Sequence, residues 1–481
     1  MGLTAPRKER FIKSAIIIRK NTPGWLANMV KRTAFIHTFG CQMNEYDSSR
    51  MMGLLQTCGY VHVQSPDAAD LIIVNTCSVR EKAEQKVYSL LGRLKKHKKE
   101  RGAKIAVSGC VAQQLGKGIV SKAPFVDIVF GTHNIDKLPE MLKDLEEGRV
   151  SIAGLEMYEI PSTFKGDPFI EEGKVKAFVT IMQGCDNFCT YCIVPLVRGG
   201  EYSRPQRGIL NEVRTLTERG VREVTLLGQN VNSFGKKNGD TSFSELLKKV
   251  SRLDGVNRIR FVTSHPKDFS DDLISSFGEL DTLCPHIHLP AQSGSNRVLA
   301  MMNRGYTRNN YKSIIRRLNE ARPGMAYSSD FIVGFPGETE EDFKQTLHLI
   351  EEVGYDLSYS FRFSPRPGTA AEKFGGQIDD KVKRGRLIEL QALQASISQK
   401  NNGKMVGKKV KVLVEGKSKT DDNRYTGRTD CNKIVNFEAR RGKKGEILTV
   451  TITGSFTHSL TGISENGGLN DERSEGSRYN D

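Results

Sequence analysis

Three cysteines at spacings of four and three residues stand in one short segment, residues 184–192 (GCDNFCTYC). Cys185, Cys189 and Cys192 can direct three thiolates at one inorganic cluster. A cubane iron–sulfur cluster has four irons and is commonly held by four cysteines. Three local ligands therefore leave one iron able to bind and activate a small molecule. This spacing predicts a catalytic cluster rather than a storage site.

Two other uses of these thiols fit the sequence less well. A structural zinc site usually pairs two C-x2-C or C/H knuckles, and the sequence shows no second knuckle. A disulfide framework is disfavoured because nine cysteines is an odd number and the first residues lack a secretory signal. No segment approaches the roughly twenty apolar residues that span a bilayer. We therefore expect a soluble protein of the reducing cytoplasm.

A second set of cysteines follows predicted strands in the N-terminal part. There, short aliphatic runs alternate with helical stretches, which is typical of an open parallel α/β sheet. The predicted strands span residues 34–39, 71–75, 104–108 and 126–130. Cys41, Cys77 and Cys110 each follow one of the first three strands, beside glycine or polar residues. Ligands gather beyond the carboxyl ends of parallel strands, so we expect a second three-cysteine cluster rather than three buried structural cysteines.

The central part shows a second alternating pattern. Its six predicted strands span residues 175–182, 222–228, 258–263, 285–289, 326–333 and 357–363. Six βα units are fewer than the eight of a closed barrel, so a partial (β/α)6 barrel is predicted. Active sites of such folds lie at the strand ends, where polar and glycine residues accumulate. The candidate cofactor-binding residues there are Gly228, Gln229, Asn230, Ser264, His265, Gln292, Asp330, Gly334 and Gly337.

Some of these candidates have a plain structural alternative. Backbone N–H groups in the glycine-containing loop from Gly334 could approach a ligand carboxylate or ribose, although two glycines around a proline are weak evidence. Asp330 could hydrogen-bond a ribose, but an aspartate on a strand is more often a structural acceptor. His286 and His288 share a strand face and are expected to be core or pocket histidines rather than metal ligands.

The C-terminal pattern is all-β and basic. Predicted strands span residues 405–415, 433–437 and 446–453, which indicates a small antiparallel β-barrel in the style of an OB fold. Residues 401–464 hold thirteen Lys and Arg against six Asp and Glu, and the whole chain carries a net charge of +16. An excess of positive charge on such a barrel favours RNA as the partner.

These patterns divide the chain into six segments. We expect an extension of uncertain order over residues 1–32, an α/β domain over 33–150 and a linker over 151–173. The partial barrel would occupy residues 174–400 and the basic β-barrel residues 401–464, followed by a disordered tail over 465–481.

An ordered series of short phrases carries a resemblance to a known family. The C-x3-C-x2-C loop is similar to the signature of the radical S-adenosylmethionine (SAM) superfamily. Residues 33–463 as a whole resemble the tRNA-2-methylthio-N6-dimethylallyladenosine synthase family (MiaB), and the C-terminal segment resembles a TRAM domain. The matching phrases are GCQMN from residue 40, NTCSVRE from 75, GCDNFCTYCIVP from 184, GQNVNS from 228, TSHP from 263, GFPGET from 334 and SPRPGT from 364.

The resemblance implies an enzyme with two [4Fe–4S] clusters and SAM. The cluster at Cys185, Cys189 and Cys192 would cleave SAM reductively, and the resulting radical would remove hydrogen from C2 of an isopentenylated adenosine beside the tRNA anticodon. The cluster at Cys41, Cys77 and Cys110 would supply sulfur, which another SAM methylates. An electron donor such as a flavodoxin or ferredoxin is also implied, and we expect a monomer without membrane association.

Two alternatives remain open at this stage. A sibling methylthiotransferase acts on threonylcarbamoyladenosine in tRNA or on an aspartate of a ribosomal protein, although the QMN after Cys41 and the NF after Cys185 look more like the isopentenyladenosine enzyme. The basic C-terminal domain also fits a basic ribosomal-protein substrate poorly. A non-catalytic iron–sulfur protein, either RNA-binding or electron-transferring, belongs to a different class. An electron carrier would need saturated clusters, whereas each site here shows three cysteines.

Overall fold

The computed structural model describes residues 32–78, 83–149, 152–158, 168–419 and 421–465. Residues 1–31 of the predicted extension, residues 151 and 159–167 of the predicted linker and residues 466–481 of the predicted tail lie outside this part. Within the described ranges, no helix has the length and apolar character needed to cross a membrane.

The N-terminal domain is built on one six-stranded sheet in which every pairing is parallel. Its spatial order is β2-β1-β3-β4-β5-β6. The strands are β1 (Arg32–Thr38), β2 (Tyr60–His62), β3 (Leu71–Thr76), β4 (Lys104–Gly109), β5 (Ile128–Phe130) and β6 (Ile152–Gly154). The parallel α/β sheet predicted from the sequence is therefore confirmed, with two short strands, β2 and β6, that were not predicted.

Helices cover both faces of this sheet. They are α1 (Gln42–Thr57), α2 (Ala83–Arg101), α3 (Cys110–Leu115), α4 (Lys117–Lys122) and α5 (Leu138–Glu146). Ile73 points to a core with Met51 and Leu55 of α1, whereas Ile72 and Val74 pack on the other face with residues of α2. Burial on both faces explains why β3 is a continuous aliphatic run rather than an alternating one.

The central domain contains six parallel strands in two groups of three. The groups are β7 (Lys176–Thr180), β10 (Glu223–Leu227) and β11 (Arg258–Phe261), then β12 (His286–His288), β13 (Ala326–Val333) and β14 (Leu357–Arg362). A parallel bridge between Ile259 and Leu283 joins them. The partial six-stranded barrel is thus confirmed. A short antiparallel ribbon of β8 (Met182–Gln183) and β9 (Tyr202–Ser203) flanks the cysteine loop and was not predicted.

Outer helices enclose these strands and bury their alternate side chains. Val224 and Leu226 of β10 join Ile259 and Phe261 of β11 in this core. The helices are α6 (Val194–Arg198), α7 (Gln206–Glu218), α8 (Phe243–Ser251), α9 (Asp271–Glu279), α10 (Asn296–Met301), α11 (Arg308–Ala321), α12 (Glu340–Val353) and α13 (Asp380–Gly403). Short 3-10 turns occur at Pro66–Ala68, Ile135–Lys137, Val231–Ser233, Pro266–Asp268 and Ala370–Lys373.

The C-terminal domain is a closed five-stranded barrel, as the pattern predicted in outline. Its strands are β15 (Lys409–Lys417), β16 (Tyr425–Thr429), β17 (Ile434–Glu438), β18 (Ile447–Ser455) and β19 (Leu460–Ser464). Four pairings are antiparallel, but β17 and β19 pair in parallel, which departs from the all-antiparallel prediction. The reason is geometric, because strand directions cannot alternate throughout a closed ring with an odd number of strands.

Two buried arginines fasten this barrel to the central sheet. Arg258 donates hydrogen bonds to the carbonyl oxygens of Arg428 and Lys411, at 2.7 and 3.0 Å. Arg260 donates to those of Asp430 and Thr429, both at 2.8 Å. Four charge-assisted bonds to backbone atoms fix the orientation of the basic barrel relative to the central domain.

Candidate functional site

The cysteine loop begins at a glycine that no other residue could replace without a clash. Gly184 has a φ of +79°, and a Cβ built on it would lie 1.9 Å from the carbonyl oxygen of Gly200. Its N–H donates to Gln229 Oε1 at 2.6 Å, and the N–H of Cys185 donates to the carbonyl of Gly199 at 3.2 Å. The end of β10 and the ribbon of β8 and β9 therefore position Cys185, the first of the predicted ligands.

The three thiols of this loop are largely withdrawn from solvent. Cys185 and Cys189 are buried and Cys192 is half-buried. Burial, assisted by the charge of neighbouring thiolates, raises the pKa of Cys185 to about 12 and that of Cys192 to about 11. Because these pKa values are high, the buried thiols stay protonated unless a cation stabilises the thiolate form. Metal binding provides that cation and releases the protons. The donor set therefore fits an iron–sulfur cluster.

An arginine that the sequence did not single out reaches the same loop. Arg304 Nη1 lies 3.4 Å from Cys189 Sγ and 3.3 Å from the hydroxyl of Tyr191, and Nη2 donates to the carbonyl of Pro290 at 2.9 Å. His265, a predicted cofactor-binding residue, contacts the same thiol, with Nε2 3.9 Å from Cys189 Sγ. A buried guanidinium beside Cys189 offsets the negative charge that its thiolate would carry.

Two predicted pocket residues carry buried polar atoms without partners. Among the described residues, no group hydrogen-bonds Ser264 Oγ or Gln292 Oε1. Both residues follow strands of the partial barrel, and Gln292 adopts a φ of +68° with its N–H bonded to the carbonyl of Asp330 at 2.8 Å. Buried polar atoms are nearly always paired, so these two indicate a place for a polar ligand such as SAM.

The other predicted pocket residues already have protein partners. Asn230 Nδ2 donates to Asp268 Oδ2 at 2.8 Å, and its Oδ1 accepts the N–H of His265 at 3.2 Å. Asp330 Oδ1 lies 3.5 Å from His288 Nε2. Asn230 thereby holds the backbone beside Ser264, whereas Asp330 takes part in a network of polar side chains on the strands.

The predicted glycines have specific structural roles. A Cβ on Gly228 would lie 2.4 Å from Met182 Cγ. The N–H of Gly334 donates to Glu338 Oε2 at 2.6 Å, and that of Gly337 to the carbonyl of Gly376 at 2.8 Å. Both N–H groups therefore bond within the protein and stabilise the loop that contains them. Contact of these glycines with a ligand stays a prediction.

The second set of cysteines meets at the carboxyl ends of β1, β3 and β4. Cys41 precedes α1, Cys77 follows β3, and Cys110 begins α3. A hydrogen bond with Cys77 and, to a smaller extent, the charge of Arg198 lower the pKa of Cys41 to about 6. Burial raises the pKa of Cys110, which also feels the charge of Cys41. The sheet therefore brings together three thiols that are 36 and 33 residues apart in the chain.

The surroundings of these thiols are also suited to a cluster. A Cβ on Gly40 would lie 2.6 Å from Cys77 Sγ, so the backbone approaches this thiol closely. Within the described ranges, Asn75 Oδ1, Ser78 Oγ and Ser108 Oγ are buried without a hydrogen-bond partner. Orphaned polar atoms at the edge where three thiols meet fit a bound inorganic group.

One cation links the two cysteine sites. Arg198 ends α6, the helix that follows the first cysteine loop, and it is buried. Its Nη2 donates to Asp47 Oδ2 at 2.7 Å and to Asn44 Oδ1 at 3.0 Å. Cys110 packs with Ile193 and Val197 of the same segment. The segment that follows the first cysteine loop therefore packs against the N-terminal domain next to Cys110.

Neither site gathers its ligands at a single point. The described residues contain no group of three His, Cys, Asp or Glu side chains close enough to share one metal ion. A cubane cluster has a different requirement, because each thiolate binds a different iron of the cube.

Comparison with known proteins places the chain in a family. Residues 33–131 match the uncharacterized protein family UPF0004, residues 179–350 the radical SAM superfamily and residues 403–463 the TRAM domain. The tRNA-2-methylthio-N(6)-dimethylallyladenosine synthase of Syntrophus aciditrophicus is 47% identical over 441 residues, covering 91% of this chain and 96% of that protein. That of Geobacter sulfurreducens is 51% identical over 433 residues, covering 89% and 96%. The chain belongs to this synthase family.

Solved structures support the fold of this family member. The radical SAM methyltransferase TsrM from Kitasatospora setae superposes with a TM-score of 0.54 at 13% identity, over 71% of this chain and 74% of that one. Because the identity is so low, this likeness concerns the fold alone. The match to the radical SAM superfamily implies a [4Fe–4S] cluster and SAM as cofactors.

Proposed function

We propose that this radical SAM methylthiotransferase replaces the C2 hydrogen of N6-isopentenyladenosine at position 37 of tRNA with a methylthio group. The observation that carries the proposal is the packing of Cys110 against Ile193, the residue after Cys192, in a chain that also holds a basic barrel. One set of three cysteines is assigned to cleavage of the C2–H bond. The other set is assigned to supply of the sulfur that replaces the hydrogen.

Cys185, Cys189 and Cys192 would hold the first [4Fe–4S] cluster, at the carboxyl ends of the partial barrel. That cluster would supply the electron for reductive cleavage of SAM. Ser264 and Gln292 offer their orphaned oxygens to the polar groups of SAM. Arg304 and His265 surround Cys189 and shield the site from water.

Cys41, Cys77 and Cys110 would hold a second [4Fe–4S] cluster, which would supply the sulfur. Cys77 and Cys110 are buried, which shields this site from water, while Cys41 is exposed. Arg198 contributes positive charge next to the trio and aligns it with the first loop. A second SAM provides the methyl group.

The chemistry explains why cofactors rather than acid–base side chains are needed. The C2–H bond of adenine is neither acidic nor electrophilic, so a general base cannot activate it. The protein instead binds, orients and excludes water, and the cofactors carry out the difficult step.

The substrate proposal rests on charge as well as on kinship. The barrel that matches the TRAM domain lies in a segment with seven more Lys and Arg than Asp and Glu, and Arg258 and Arg260 hold it in a fixed orientation. A rigidly placed basic barrel is suited to the phosphate backbone of an anticodon stem and loop. We further propose a cytoplasmic monomer that receives electrons from a flavodoxin or ferredoxin.

Nucleoside mass spectrometry tests the substrate. The holoenzyme reacts without oxygen with SAM, a reductant and tRNA that carries either isopentenyladenosine or threonylcarbamoyladenosine at position 37. We expect the methylthio product from the isopentenylated tRNA alone. Product from the threonylcarbamoyl tRNA alone would assign the chain to the sibling reaction, and an absence of 5′-deoxyadenosine would favour an electron-carrier role.

A further inference from the structure

The two faces of β13 carry different kinds of side chain. Tyr327, Phe331 and Val333 are buried in the core that the strands form with the outer helices. Successive side chains of a strand point to opposite faces, so Ser328 and Asp330 point into the partial barrel. The interior of the barrel is therefore polar along this strand.

The last strand of the barrel, β14, places two aromatic rings in the same interior. Tyr359 is the register partner of Asp330 and Phe361 is that of Ile332, so both rings share the inner face. The exposed fractions of Tyr359 and Phe361 are 51% and 41%. Aromatic rings gain much from burial, so two uncovered rings on the inner wall of a barrel indicate an apolar surface that a ligand covers.

A network of polar contacts supports Tyr359 from the neighbouring strands. The ring of His288 meets that of Tyr359 edge to face, with centroids 6.1 Å apart. His288 Nδ1 lies 3.1 Å from Ser328 Oγ, and its Nε2 lies 3.5 Å from Asp330 Oδ1. Ser328 Oγ also lies 3.3 Å from His286 Nε2. Linked polar side chains make a site rigid, so this wall is in position before a ligand binds.

The opposite wall of the barrel is covered by the N-terminal domain. Met43 and Tyr46 of α1 pack with Leu227 of β10 and Phe178 of β7. Helix α1 begins directly after Cys41. The helix that follows the second set of cysteines therefore reaches the inner side chains of one half of the barrel, whereas the two rings of β14 in the other half stay uncovered.

A cavity of about 820 Å³ extends between these walls. Its lining includes Tyr359 on one side, Thr225 of β10, and Gln42 and Glu45 of α1 on the other side. The volume lies in the range of sites for small ligands. There is thus room beside Tyr359 for a nucleobase substituent, on the side of the helix that begins after Cys41.

We propose that Phe361 and Tyr359 hold the substrate nucleoside inside the barrel, with Phe361 stacked on the adenine and Tyr359 packed against its N6-isopentenyl group. This inference rests on the proposed function, which requires C2 of the base to lie near the carboxyl ends of the strands. Phe361 is the ring closer to that end of β14. The branched alkyl group then extends toward Tyr359 and the cavity. Unpaired RNA bases are commonly recognised by stacking on aromatic side chains.

Binding measurements with two anticodon stem–loops test this assignment. One stem–loop carries isopentenyladenosine at position 37 and the other carries unmodified adenosine. Their dissociation constants from the holoenzyme are measured by fluorescence anisotropy without turnover, for wild type, Tyr359→Ala, Tyr359→Phe and Phe361→Ala. The affinity of each protein for SAM is measured as well. The matched control is Phe456→Ala, which removes an exposed aromatic ring from the C-terminal barrel.

We expect wild type to bind the isopentenylated stem–loop about tenfold more tightly, because the protein buries a short alkyl chain. Tyr359→Ala should abolish this preference, whereas Tyr359→Phe keeps the ring and should retain it. Phe361→Ala should weaken both stem–loops about tenfold and leave their ratio unchanged, because stacking does not depend on the substituent. Phe456→Ala should also leave the ratio unchanged. Each ratio comes from one preparation, so a loss of folded protein cancels.

An unchanged ratio in Tyr359→Ala would overturn the inference, as would equal binding of the two stem–loops by wild type. Weaker SAM binding by Phe361→Ala with unchanged stem–loop binding would assign this ring to the cofactor and would also overturn it. Failure of the proposed function is seen separately, because the binding ratio needs no catalysis. A wild-type enzyme that prefers the isopentenylated stem–loop but forms no methylthio product would support the binding site and contradict the proposed reaction.

Discussion

Arg198 Nη2 lies 2.7 Å from Asp47 Oδ2, in a salt bridge buried between the N-terminal and central domains. Arg198 stands six residues after Cys192, and Asp47 stands six residues after Cys41. This ion pair therefore joins the helix after the first cysteine loop to the helix after Cys41. Transfer of sulfur to a carbon radical depends on such positioning, because small misplacements of reacting groups slow a reaction strongly.

Replacing Arg198 should reduce sulfur insertion while SAM cleavage continues. Arg198→Met leaves Asp47 buried without its cation, which costs about 3 kcal/mol for a buried pair. We expect 5′-deoxyadenosine to form while the methylthio product per deoxyadenosine falls about tenfold. Quantifying both products in one anaerobic reaction checks this.

An exposed ion pair of the same kind provides the control. Arg149 pairs with Asp144 at 2.8 Å on the surface of the N-terminal domain. Such pairs contribute less than about 1 kcal/mol, so Arg149→Met should leave the product ratio unchanged. If Arg198→Met also left the ratio unchanged, the ion pair would have no part in aligning the sites.

Removing the two orphaned polar groups of the pocket should weaken SAM binding. Ser264→Ala and Gln292→Ala each delete a buried oxygen that has no partner in the described part of the chain. The loss of one buried hydrogen bond to a ligand corresponds to a rise of about tenfold in the KM for SAM. The control Ser251→Ala removes a hydroxyl that bonds only within its own helix end, to the carbonyl of Lys248. Unchanged KM values in both pocket variants would place SAM elsewhere.

A buried glutamate near the cysteine loop should make stability depend on pH. Burial raises the pKa of Glu201 to about 7 from the 4.5 of an exposed glutamate, although Ser233 donates to it at 2.6 Å. The folded state binds this proton more tightly than the unfolded state, so stability falls as pH rises from about 4.5 to about 7. Glu201→Gln should therefore stabilise the protein at pH 8 by about 1–3 kcal/mol and have little effect at pH 4.

Melting temperatures of the variant and wild type across this pH range check the expectation. The control Glu218→Gln removes an exposed carboxylate from α7 and should follow the wild-type profile. A stabilisation by Glu201→Gln that is the same at pH 4 and pH 8 would show that the carboxylate is not what titrates.

Local patterns were sufficient for most strands of the two parallel sheets. β13 lies where its aliphatic run predicted it, and Cys41, Cys77 and Cys110 follow strands whose order in the sheet brings them together. Parallel sheets have this property, because residues distant in sequence meet at one edge when each follows a strand. The short edge strand β2 was not predicted, since three residues carry no measurable alternation.

Contacts between distant segments could not be predicted from the sequence. Arg198 and Asp47 are 151 residues apart, and Arg304 and Cys189 are 115 apart. No local periodicity marks such pairs, and an arginine in a loop is usually exposed. The use of the N–H of Gly334 by Glu338 was also unforeseen, because a glycine signals a backbone shape without showing which partner its N–H finds.

The division of labour between the two cysteine sites is tested by one triple variant. Cys41, Cys77 and Cys110 are replaced together by alanine, with Cys58→Ala as a control for a cysteine outside both sites. Iron content, 5′-deoxyadenosine and methylthiolated nucleoside are measured after anaerobic reaction with isopentenylated tRNA. We predict about half of the wild-type iron, continued SAM cleavage and no methylthio product. Methylthiolated adenosine from the triple variant would contradict the account.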